Sequence, residues 1–362
     1  MRIAIDAREL RGARTGVGRL VHEILRRWTA LPAAAPHDVI LCAPEPLDIT
    51  PYAGLRLSLA TRPGGGTRWE QCTLPRLVRE ARADVLFAPA YTAPLVSPVP
   101  TLLAIHDVSY AAHPEWYGWR HGARLRVLSR LAARSAARIL TISEFSKREI
   151  AALLEVDPAK IAVVHLGLTR LTSREPANPE PSNLEPVPIL FVGSIFNRRH
   201  VPELMDGFAR LAVSHPDVEL DIAGINLTSP RLDLHACAAS SGAGGRIHIR
   251  AFVSDAELAG LYLKARAFVF LSDYEGFGLT PLEALGAGVP IVVLDTAVSR
   301  EIYGDAALYV ARAEPGLIHA ALDRVLFDAR ERARLLAAAP AVLARYQWDL
   351  CAARVLDLLL TT

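Results

Sequence analysis

The chain has 362 residues, more than one hydrophobic core of about 250–300 residues usually supports, so two domains are expected. Hydrophobic residues make up 51% and charged residues 22%, which is typical of a globular protein and excludes a disordered or fibrous one. The start, MRIAIDARELRG, is charged where a secretion signal is apolar, and no window reaches about 18 uncharged apolar residues. The composition therefore predicts a cytoplasmic protein without a membrane-spanning segment.

Charge and cysteine usage narrow the class further. Residues 1–172 carry 23 Lys and Arg against 15 Asp and Glu, whereas residues 173–362 carry 17 against 23. Nearly all of the basic character is thus N-terminal. The four cysteines lie far apart without a Cys-x-x-Cys pair, which indicates buried, reduced thiols rather than a zinc site or a disulfide framework.

Short apolar runs alternate with helical patterns along the chain, which is typical of βαβ units around parallel sheets. The predicted strands of the first half are 2–6, 39–43, 85–88, 102–106, 139–142 and 161–165. Those of the second half are 189–192, 219–223, 247–251, 267–271, 290–294 and 308–310. The pattern predicts two parallel α/β domains, at residues 1–171 and 189–345.

Two further segments complete the predicted organisation. Residues 172–188 hold five prolines and no apolar period, which predicts an interdomain linker. Residues 346–362 have one apolar helical face, so we expect a last helix that packs back on the first domain.

A basic stripe lies within the first domain. Between Trp116 and Ser143 there is no acid, but there are six arginines: Arg120, Arg124, Arg126, Arg130, Arg134 and Arg138. The last four repeat every four residues, which predicts one basic helical face. Beside Trp116, Tyr117 and Trp119, this face indicates either an anionic membrane surface as partner or a solvated face. No nucleic-acid-binding module accompanies it, so no nucleic acid is expected.

The segment 272–293, SDYEGFGLTPLEALGAGVPIVV, places Glu275 at the turn between the predicted strand 267–271 and a predicted helix at 282–287, and Glu283 in the first turns of that helix. Parallel sheets bind ligands at the carboxyl ends of their strands, where helix N-termini favour anions. Gly276 and Gly278 permit a phosphate to approach the backbone closely. Carboxylates at the same edge suit sugar hydroxyls. The segment predicts a nucleotide-sugar site, and the alternative is two acids that favour the helix dipole.

The same residues resemble a known family. Glu275-Gly-Phe-Gly-Leu-Thr-Pro-Leu-Glu283 is similar to the Glu-x7-Glu signature of the retaining glycosyltransferases of family 4, and the resemblance extends over most of the chain. It implies the GT-B architecture, in which two Rossmann-like domains face each other across a cleft and the C-terminal one binds the donor. It implies that Glu275 contacts the transferred sugar and Glu283 the ribose. Further donor contacts are implied for Gly276, Phe277, Gly278, Leu279 and Thr280.

Residues 191–208, FVGSIFNRRHVPELMDGF, resemble the strand, Gly-Ser turn and basic pair of the family. The resemblance implies donor contacts by Gly193, Ser194, Arg198 and Arg199, the arginines neutralising the diphosphate. The usual lysine and asparagine of the family are replaced by Arg199 and His200, and some members carry an arginine where this chain has Ser194. Val253, after the strand 247–251, lies where the family reads the nucleotide base through its backbone.

The first half carries the remaining residues that the resemblance assigns. Gly16 and Gly18 lie between the first strand and a helix predicted near Arg19, where the family has its donor-phosphate loop. Ala104-Ile-His106-Asp107 is similar to the strand end at which the histidine contacts the transferred sugar. The acceptor side is implied for Asp107 and for Ser143, which is also a candidate helix cap.

The sequence thus predicts a retaining glycosyltransferase that moves mannose or a related hexose to a hydroxyl of a glycan or lipid-linked acceptor. The expected donor is a nucleoside diphosphate sugar, with GDP or UDP favoured. The chain has no Asp-x-Asp pair to hold a metal ion, so no metal and no cofactor are expected. The alternatives are a sugar-nucleotide epimerase and a catalytically silent nucleotide-binding subunit. A dehydrogenase fingerprint is incomplete, because Val21 stands at its third glycine position.

Overall fold

The computed structural model describes residues 1–12, 16–169 and 186–362, so most of the predicted linker lies outside the described residues. The chain divides into two compact units. The N-terminal unit comprises Met1–Gly167 and Tyr346–Thr362, and the C-terminal unit comprises Leu168–Arg345. Each unit has its own parallel sheet, so the predicted fold class of two Rossmann-like α/β domains is confirmed.

The N-terminal unit is built on a parallel sheet. Its strands are β1 (Arg2–Asp6), β2 (Asp38–Ala43), β3 (Arg56–Thr61), β4 (Val85–Ala88), β5 (Thr101–Ala104), β6 (Arg138–Thr141) and β7 (Ile161–Val163). Its first helices are α1 (Gly16–Trp28), α2 (Gly66–Arg68), α3 (Leu74–Glu80), α4 (Ser109–Ala112), α5 (Trp119–Ser135) and α6 (Glu144–Leu154). Within the described part of the chain the strand order is β3-β2-β1-β4-β5-β6-β7. β4 and β5 are buried along their whole length, because helices cover both faces of the sheet.

The C-terminal unit repeats this plan. Its strands are β8 (Val187–Val192), β9 (Val218–Ala223), β10 (Ile247–Arg250), β11 (Ala267–Phe270), β12 (Ile291–Leu294) and β13 (Ala307–Val310). Its helices are α7 (Val201–Ser214), α8 (Leu234–Ser240), α9 (Asp255–Lys264), α10 (Leu279–Gly286), α11 (Ala297–Tyr303), α12 (Pro315–Phe327) and α13 (Ala329–Leu343). The strand order is β10-β9-β8-β11-β12-β13. The order reverses between β8 and β11, and doubly wound sheets leave a ligand crevice at such a switch point.

The last helix, α14 (Trp348–Leu360), belongs to the N-terminal unit and packs against α1. The indole N–H of Trp28 donates a hydrogen bond of 2.9 Å to the carbonyl of Ala352. Trp348 lies so close to Gly167 that a Cβ there would fall 2.2 Å from its backbone nitrogen. The apolar face of α14 therefore completes the core of the N-terminal unit.

All twelve predicted strands are present with ends within two residues of the predicted ones, and β5 ends at Ala104, before His106. Two further differences have a clear physical reason. β3 was not predicted, because it is an edge strand whose residues alternate between exposed and half-buried positions and lack an apolar run. β8 begins at Val187, two residues before the predicted boundary at 189, since Val187 and Pro188 pair with the start of β9. A proline near a strand start is compatible with the ladder, and here its carbonyl accepts the N–H of Arg266.

Candidate functional site

The switch point of the C-terminal sheet gathers most of the residues that the sequence singles out. Gly193 and Ser194 directly follow β8, and Arg198 and Arg199 lie in a 3-10 turn, Asn197–Arg199, that precedes α7. We call residues 197–200 the basic turn. Residues 271–278 connect β11 to α10 and carry Glu275, and we call them the Glu275 loop. Because β8 and β11 are neighbours, the basic turn and the Glu275 loop meet at one edge of the sheet.

Arg199 and Glu275 form an ion pair at this edge. Nη2 and Nε of Arg199 lie 2.7 and 2.9 Å from Oε1 of Glu275, and the Ser272 hydroxyl donates to the same oxygen at 2.9 Å. The two side chains are only 12 and 19% exposed. Arg199 also donates to the Ser194 carbonyl at 2.7 Å and lies 4.7 Å above the Phe270 ring. Oε1 of Glu275 is therefore held by three protein donors, which also fixes the orientation of Oε2.

Gly193 permits this arrangement. Its φ is +145°, and a Cβ at this position would lie 2.7 Å from Nη1 of Arg199. Only glycine combines this backbone conformation with room for the guanidinium. The Gly-Ser turn thus lets Arg199 reach the Glu275 loop.

The start of α10 depends on a second glycine. Gly278 has a φ of +92°, and a Cβ there would lie 2.0 Å from the hydroxyl of Tyr303, which donates to the Gly278 carbonyl at 2.9 Å. Leu279 and Thr280 consequently form the first turn, so α10 begins three residues before the predicted start at 282. First-turn N–H groups have no acceptor within their own helix. Gly276 and the buried Phe277 precede this turn in the Glu275 loop.

Glu283 lies in the second turn of α10 and is buried. Its Oε2 accepts a hydrogen bond of 3.1 Å from the hydroxyl of Tyr262, a fully buried residue of α9. Sequence reasoning missed Tyr262, because a tyrosine among the apolar residues of a helix is ordinarily a core residue. The only signal for it was its hydroxyl, which needs a partner when buried.

His200 completes the basic turn. It has a φ of +49°, and its Nε2 lies 2.7 Å from Oδ2 of Asp273 in the Glu275 loop. Hydrogen bonds to Asp273 and Glu203 raise the pKa of His200 to about 9, so the imidazole is protonated at neutral pH. The backbone N–H of Asp273 donates to the Arg198 carbonyl at 3.0 Å. Arg198 itself stacks on Phe196 at 4.3 Å.

Val253 lies further along the sheet edge, in the loop between β10 and α9. It is half-buried, and the preceding Phe252 is exposed. The structure leaves the base-binding role of Val253 a prediction.

His106 and Asp107 follow β5 in the N-terminal unit. Nε2 of the buried His106 donates to the Pro89 carbonyl at 2.8 Å, and burial lowers the pKa of this imidazole. A neutral imidazole with a protonated Nε2 presents Nδ1 as a hydrogen-bond acceptor. Asp107 accepts from the Tyr91 hydroxyl at 3.1 Å and from the Ser109 hydroxyl and N–H at 2.6 and 2.9 Å. Both side chains are thus oriented by the protein.

Tyr91 is a second residue that sequence reasoning missed. Its φ is +61°, and its ring stands edge-on to that of His106 with the centroids 5.5 Å apart. Burial and the neighbouring Asp107 raise the pKa of Tyr91 well above its usual value. Strained backbone conformations are common at functional sites. The local sequence around Tyr91 contains no pattern that predicts this conformation.

Ser143 is the N-cap of α6. Its buried hydroxyl accepts the N–H of Ser146 at 3.0 Å, and the Ser146 hydroxyl donates to the His106 carbonyl at 3.0 Å. The capping interpretation of Ser143 is therefore what the structure shows, whereas an acceptor-side role stays a prediction.

The predicted place of Gly16 and Gly18 is wrong. Both lie within α1, which in the described residues begins at Gly16, rather than in a loop before a helix near Arg19. Glycine is tolerated in a first helical turn at a cost of about 1 kcal/mol, so the Gly-x-Gly pattern alone did not distinguish a loop from a helix start.

The predicted row of four arginines on one helical face is wrong for Arg138, whereas Arg126, Arg130 and Arg134 do share a face of α5. α5 ends at Ser135, and Arg138 lies in β6, because residues 138–141 pair with β5 and β7. Arg126 donates to the Tyr110 carbonyl at 3.3 Å. Arg130 and Arg134 pair with Glu155, which follows α6.

A different face of α5 is exposed. It consists of Trp119, Arg120, Arg124, Val127 and Leu131, and we call it the α5 face. Trp119 is 76% exposed and Val127 is 57% exposed, which is unusual for large apolar side chains beside arginines. Arg120 lies 5.1 Å from the Trp119 ring. The α5 face thus combines exposed apolar and cationic groups.

Two kinds of site are absent from the part of the chain that the structure describes. Within residues 1–12, 16–169 and 186–362, no group of three or more His, Cys, Asp or Glu is placed to hold a metal ion. Over the same residues, no helix is long and apolar enough to cross a bilayer.

Two doubly wound parallel sheets, the second with cations and carboxylates at its switch point, define an α/β protein of two Rossmann-like units. Family models agree with this class: "Glycosyl transferases group 1" matches residues 174–342 and "Glycosyltransferase Family 4" matches residues 14–169. The two matches together span most of the chain. The chain belongs to the glycosyltransferases of family 4, with the GT-B type of fold.

Individual relatives and solved structures are consistent with this assignment. The chain is 27% identical to O-antigen chain mannosyltransferase B of Escherichia coli over 260 residues, 70% of this chain and 68% of that protein. It is 30% identical to the MMP alpha-(1->4)-mannosyltransferase of Mycolicibacterium hassiacum over 224 residues, 61% of this chain and 51% of that protein. The fold is similar to that of Anabaena HepE in complex with UDP and glucose, with a TM-score of 0.76 at 17% identity over the whole of both chains.

Proposed function

We propose that the protein is a retaining glycosyltransferase that transfers a hexose from a nucleoside diphosphate sugar to an acceptor hydroxyl in polysaccharide or glycolipid assembly. The observation that carries this proposal is the contact between Arg199 and Glu275 at the switch point. In a nucleoside diphosphate sugar one oxygen separates the phosphorus from the anomeric carbon. A cation for the phosphate and a carboxylate for the sugar must therefore lie side by side, as these two do.

The donor-binding groups follow from this contact. Arg198, Arg199 and the first-turn amides of α10 bind the diphosphate, because guanidinium groups and helix N-termini both stabilise phosphate charge. Oε2 of Glu275 accepts hydrogen bonds from sugar hydroxyls, since Oε1 is held by the protein. Glu283, oriented by Tyr262, accepts those of the ribose. His106, in the N-terminal unit, has Nδ1 available as an acceptor for a hydroxyl.

The proposed chemistry is a front-face substitution. The bond from the acceptor oxygen to the anomeric carbon forms on the face from which the phosphate leaves, so the configuration is retained. The acceptor proton passes to the departing phosphate oxygen. The two arginines and the α10 dipole stabilise the charge that builds on this oxygen, and positioning supplies the remaining acceleration.

No metal ion and no cofactor are part of this proposal. Arg198, Arg199 and the helix dipole provide the positive charge that a divalent ion would supply to the diphosphate. Transfer should therefore persist in EDTA at the rate observed without it, and an activity that EDTA abolishes and Mg²⁺ or Mn²⁺ restores would contradict this point.

The relatives that the chain resembles favour a hexose donor. Two of them are mannosyltransferases, and HepE was solved with UDP and glucose. We propose mannose or a related hexose on GDP or UDP. An O-antigen chain is a polysaccharide, which favours a glycan or lipid-linked acceptor here as well.

The α5 face favours a membrane-associated acceptor. Exposed Trp and aliphatic side chains beside arginines match the interface of an anionic bilayer, where aromatic rings and cations both bind. We propose that the protein is peripheral on the cytoplasmic face of the membrane and meets a lipid-linked acceptor there.

The first test is nucleotide binding, measured as the thermal stabilisation of the purified protein by UDP, GDP, ADP, dTDP and CDP. One diphosphate should stabilise the fold by about 2.7 kcal/mol at a hundredfold excess over its Kd. Glu283→Ala and Arg199→Ala should lose this stabilisation, whereas Glu314→Ala, which removes an exposed acid paired with Arg312 in the same unit, should keep it. If no diphosphate stabilises the wild type, the donor-site proposal is wrong.

Product analysis then separates the alternatives. A transferase consumes the donor only with an acceptor or water and yields the retained anomer, which NMR identifies from the one-bond carbon–proton coupling at the anomeric carbon. An epimerase would convert the donor without an acceptor. A silent subunit would bind the diphosphate without any turnover.

A further inference from the structure

We propose that His200 and Asp273 are positioning residues that hold the basic turn against the Glu275 loop. They thereby set the separation between the phosphate-binding guanidinium of Arg199 and the sugar-binding carboxylate of Glu275. The inference rests on the donor site proposed above and adds residues that neither the Glu-x7-Glu signature nor the basic pair contains.

Three contacts join the two segments. The N–H of Asp273 donates to the Arg198 carbonyl at 3.0 Å. Nε2 of His200 lies 2.7 Å from Oδ2 of Asp273. Arg199 and Glu275 form the third contact at 2.7 Å. The ion pair of the site is thus flanked by a backbone hydrogen bond and a second ion pair, so the two segments cannot move apart without breaking all three.

The backbone of His200 shows that this position is constrained. Its φ of +49° is a left-handed conformation that residues other than glycine adopt rarely, although Asn, Asp and His adopt it more readily than most. Such a conformation persists where surrounding contacts hold it. Asparagine, the usual residue of the family at this position, fits the same backbone but carries no charge. His200→Asn therefore removes the imidazolium and preserves the turn.

The charges around His200 explain why the contact is ionic. Asp273 faces it from the Glu275 loop, and Glu203 from α7 lies 3.6 Å from Nδ1. Arg198 and Arg199 are its neighbours in the chain, and Glu275 compensates Arg199. The two carboxylates keep His200 protonated at neutral pH and raise its pKa to about 9. Above that pH the contact becomes an ordinary hydrogen bond, which is weaker.

A change in the separation of Arg199 and Glu275 affects the binding of the nucleotide sugar rather than the binding of the free nucleoside diphosphate. A nucleoside diphosphate needs the arginines, the helix amides and Glu283, but not Glu275. A nucleotide sugar must engage Arg199 and Glu275 together, so a change in their separation weakens at least one of these two contacts and lowers its affinity. The ratio of the affinities for nucleotide sugar and diphosphate therefore reports the separation of these two groups.

The experiment measures this ratio by calorimetry with UDP and UDP-glucose and with GDP and GDP-mannose. The proteins are the wild type, His200→Asn, Asp273→Asn and the double variant, each first shown to be folded by its melting temperature. At about pH 7 each single variant should lower the ratio by about tenfold, and the double variant should lower it no further. His215→Asn is the control, because His215 pairs with Asp323 at 3.3 Å at the other end of α7.

A second readout is pH dependence. The wild-type ratio should fall between about pH 7 and about pH 10, on either side of the imidazole pKa, whereas that of His200→Asn should not change. If the wild type binds diphosphate, Arg199→Ala abolishes binding and His200→Asn keeps the wild-type ratio at both pH values, the positioning role is wrong and the donor site stands. If the wild type binds neither diphosphate, both proposals fail.

Discussion

Glu275 shows how its neighbours orient a single side chain. Arg199 and Ser272 donate three hydrogen bonds to one of its carboxylate oxygens. Each hydrogen bond to a charged group contributes about 1.5–3 kcal/mol, so the rotamer of Glu275 is set before any substrate binds. Such preorganisation spares the reaction the cost of reorienting the carboxylate.

We expect Glu275→Gln to lower kcat/KM for the donor by about 10- to 150-fold, the loss of one charge-assisted hydrogen bond of about 1.5–3 kcal/mol. The amide preserves the shape of the side chain but forms no ion pair with Arg199. Steady-state kinetics with the donor selected by the thermal measurements checks this. Ser272→Ala, which removes one neutral donor, is the matched control and should lose less. Equal rates for Glu275→Gln and the wild type would refute the role of Glu275.

Gly278 is the residue on which the geometry of α10 depends. In Gly278→Ala the methyl group would meet the Tyr303 hydroxyl at 2.0 Å with a φ of +92°. The left-handed backbone alone costs about 1–2 kcal/mol, and moving Tyr303 adds to it. We expect a lower melting temperature and loss of the nucleotide-induced shift.

The control for Gly278→Ala lies on the same helix. Gly286 is the last residue of α10, and its φ is not positive. Apart from its chain neighbours and the nearby backbone of α10, no atom of the described residues lies within 4 Å of the position that a Cβ would take at Gly286. Gly286→Ala should be neutral or raise stability by up to about 1 kcal/mol, and should keep nucleotide binding. If both variants lose binding equally, α10 is sensitive to any substitution and the specific argument for Gly278 fails.

Among the elements, α5 differs most from what the sequence predicted, which was a helix with a single basic face. One side of the helix is occupied by contacts of Arg126, Arg130 and Arg134 with the rest of the N-terminal unit. The α5 face adjoins these arginines and lies opposite the buried side of the helix, and apolar and basic residues alternate on it. The buried residues of the helix are Gly122, Ser129, Ala132 and Ala133. An amphipathic helix whose exposed side is apolar and cationic is suited to a lipid interface.

Charge reversal on the α5 face tests the membrane proposal. Arg120→Glu with Arg124→Glu should weaken binding to vesicles that contain anionic phosphatidylserine by at least about 30-fold, since the loss of each cation alone costs about 1 kcal/mol at such a surface and the new carboxylates are repelled. Arg312→Glu with Arg354→Glu changes the net charge equally elsewhere and is the control for vesicle co-sedimentation. Equal binding by both double variants would show that the α5 face is a solvated surface.

At the scale of the whole molecule, the chain returns to its first unit at its end. Residues 346–362 supply α14, whose Trp348, Cys351 and Val355 are buried against the N-terminal unit. The unit is therefore complete only when the last residues of the described chain are in place. Its stability and that of the C-terminal unit depend on separate cores.

Trp348→Ala should lower the free energy of unfolding of the N-terminal unit by about 3–5 kcal/mol, the usual cost of a buried tryptophan. The nucleotide-induced stabilisation of the C-terminal unit should remain. Calorimetric melting with and without the diphosphate measures both effects. Leu350→Ala, an exposed residue of the same helix, is the control and should be near neutral. A uniform loss in both units would contradict separate cores.

Several features of the site were predictable because they depend on neighbours in the sequence. Apolar runs and helical periods indicate β1, β4 and β11 and the helices between them, since burial on both faces requires them. The Gly-Phe-Gly of the Glu275 loop marks a strand-to-helix turn in the same way. Edge strand β3 was missed because solvent on its faces permits polar residues.

Other features depended on residues far apart in the chain. Arg199 meets Glu275 across 76 residues, and Glu155 reaches back to Arg134 across 21. No local pattern states which carboxylate will neutralise which arginine, so the sequence predicted a basic stripe where the structure has ion pairs. Tyr262 and Tyr91 were missed for the same reason.

By itself the sequence determined the parallel α/β architecture, the resemblance to a glycosyltransferase family and the loops that carry its signature residues. These features follow from the periodicity of hydrophobic residues and from the positions of glycines and charged residues within short stretches of the sequence. Only the tertiary structure decided the orientation of Glu275, the pairing of His200 with Asp273 and the exposed side of α5. The physical reason is that side-chain partners are chosen by the packing of strands and helices, which brings together residues that no short window contains.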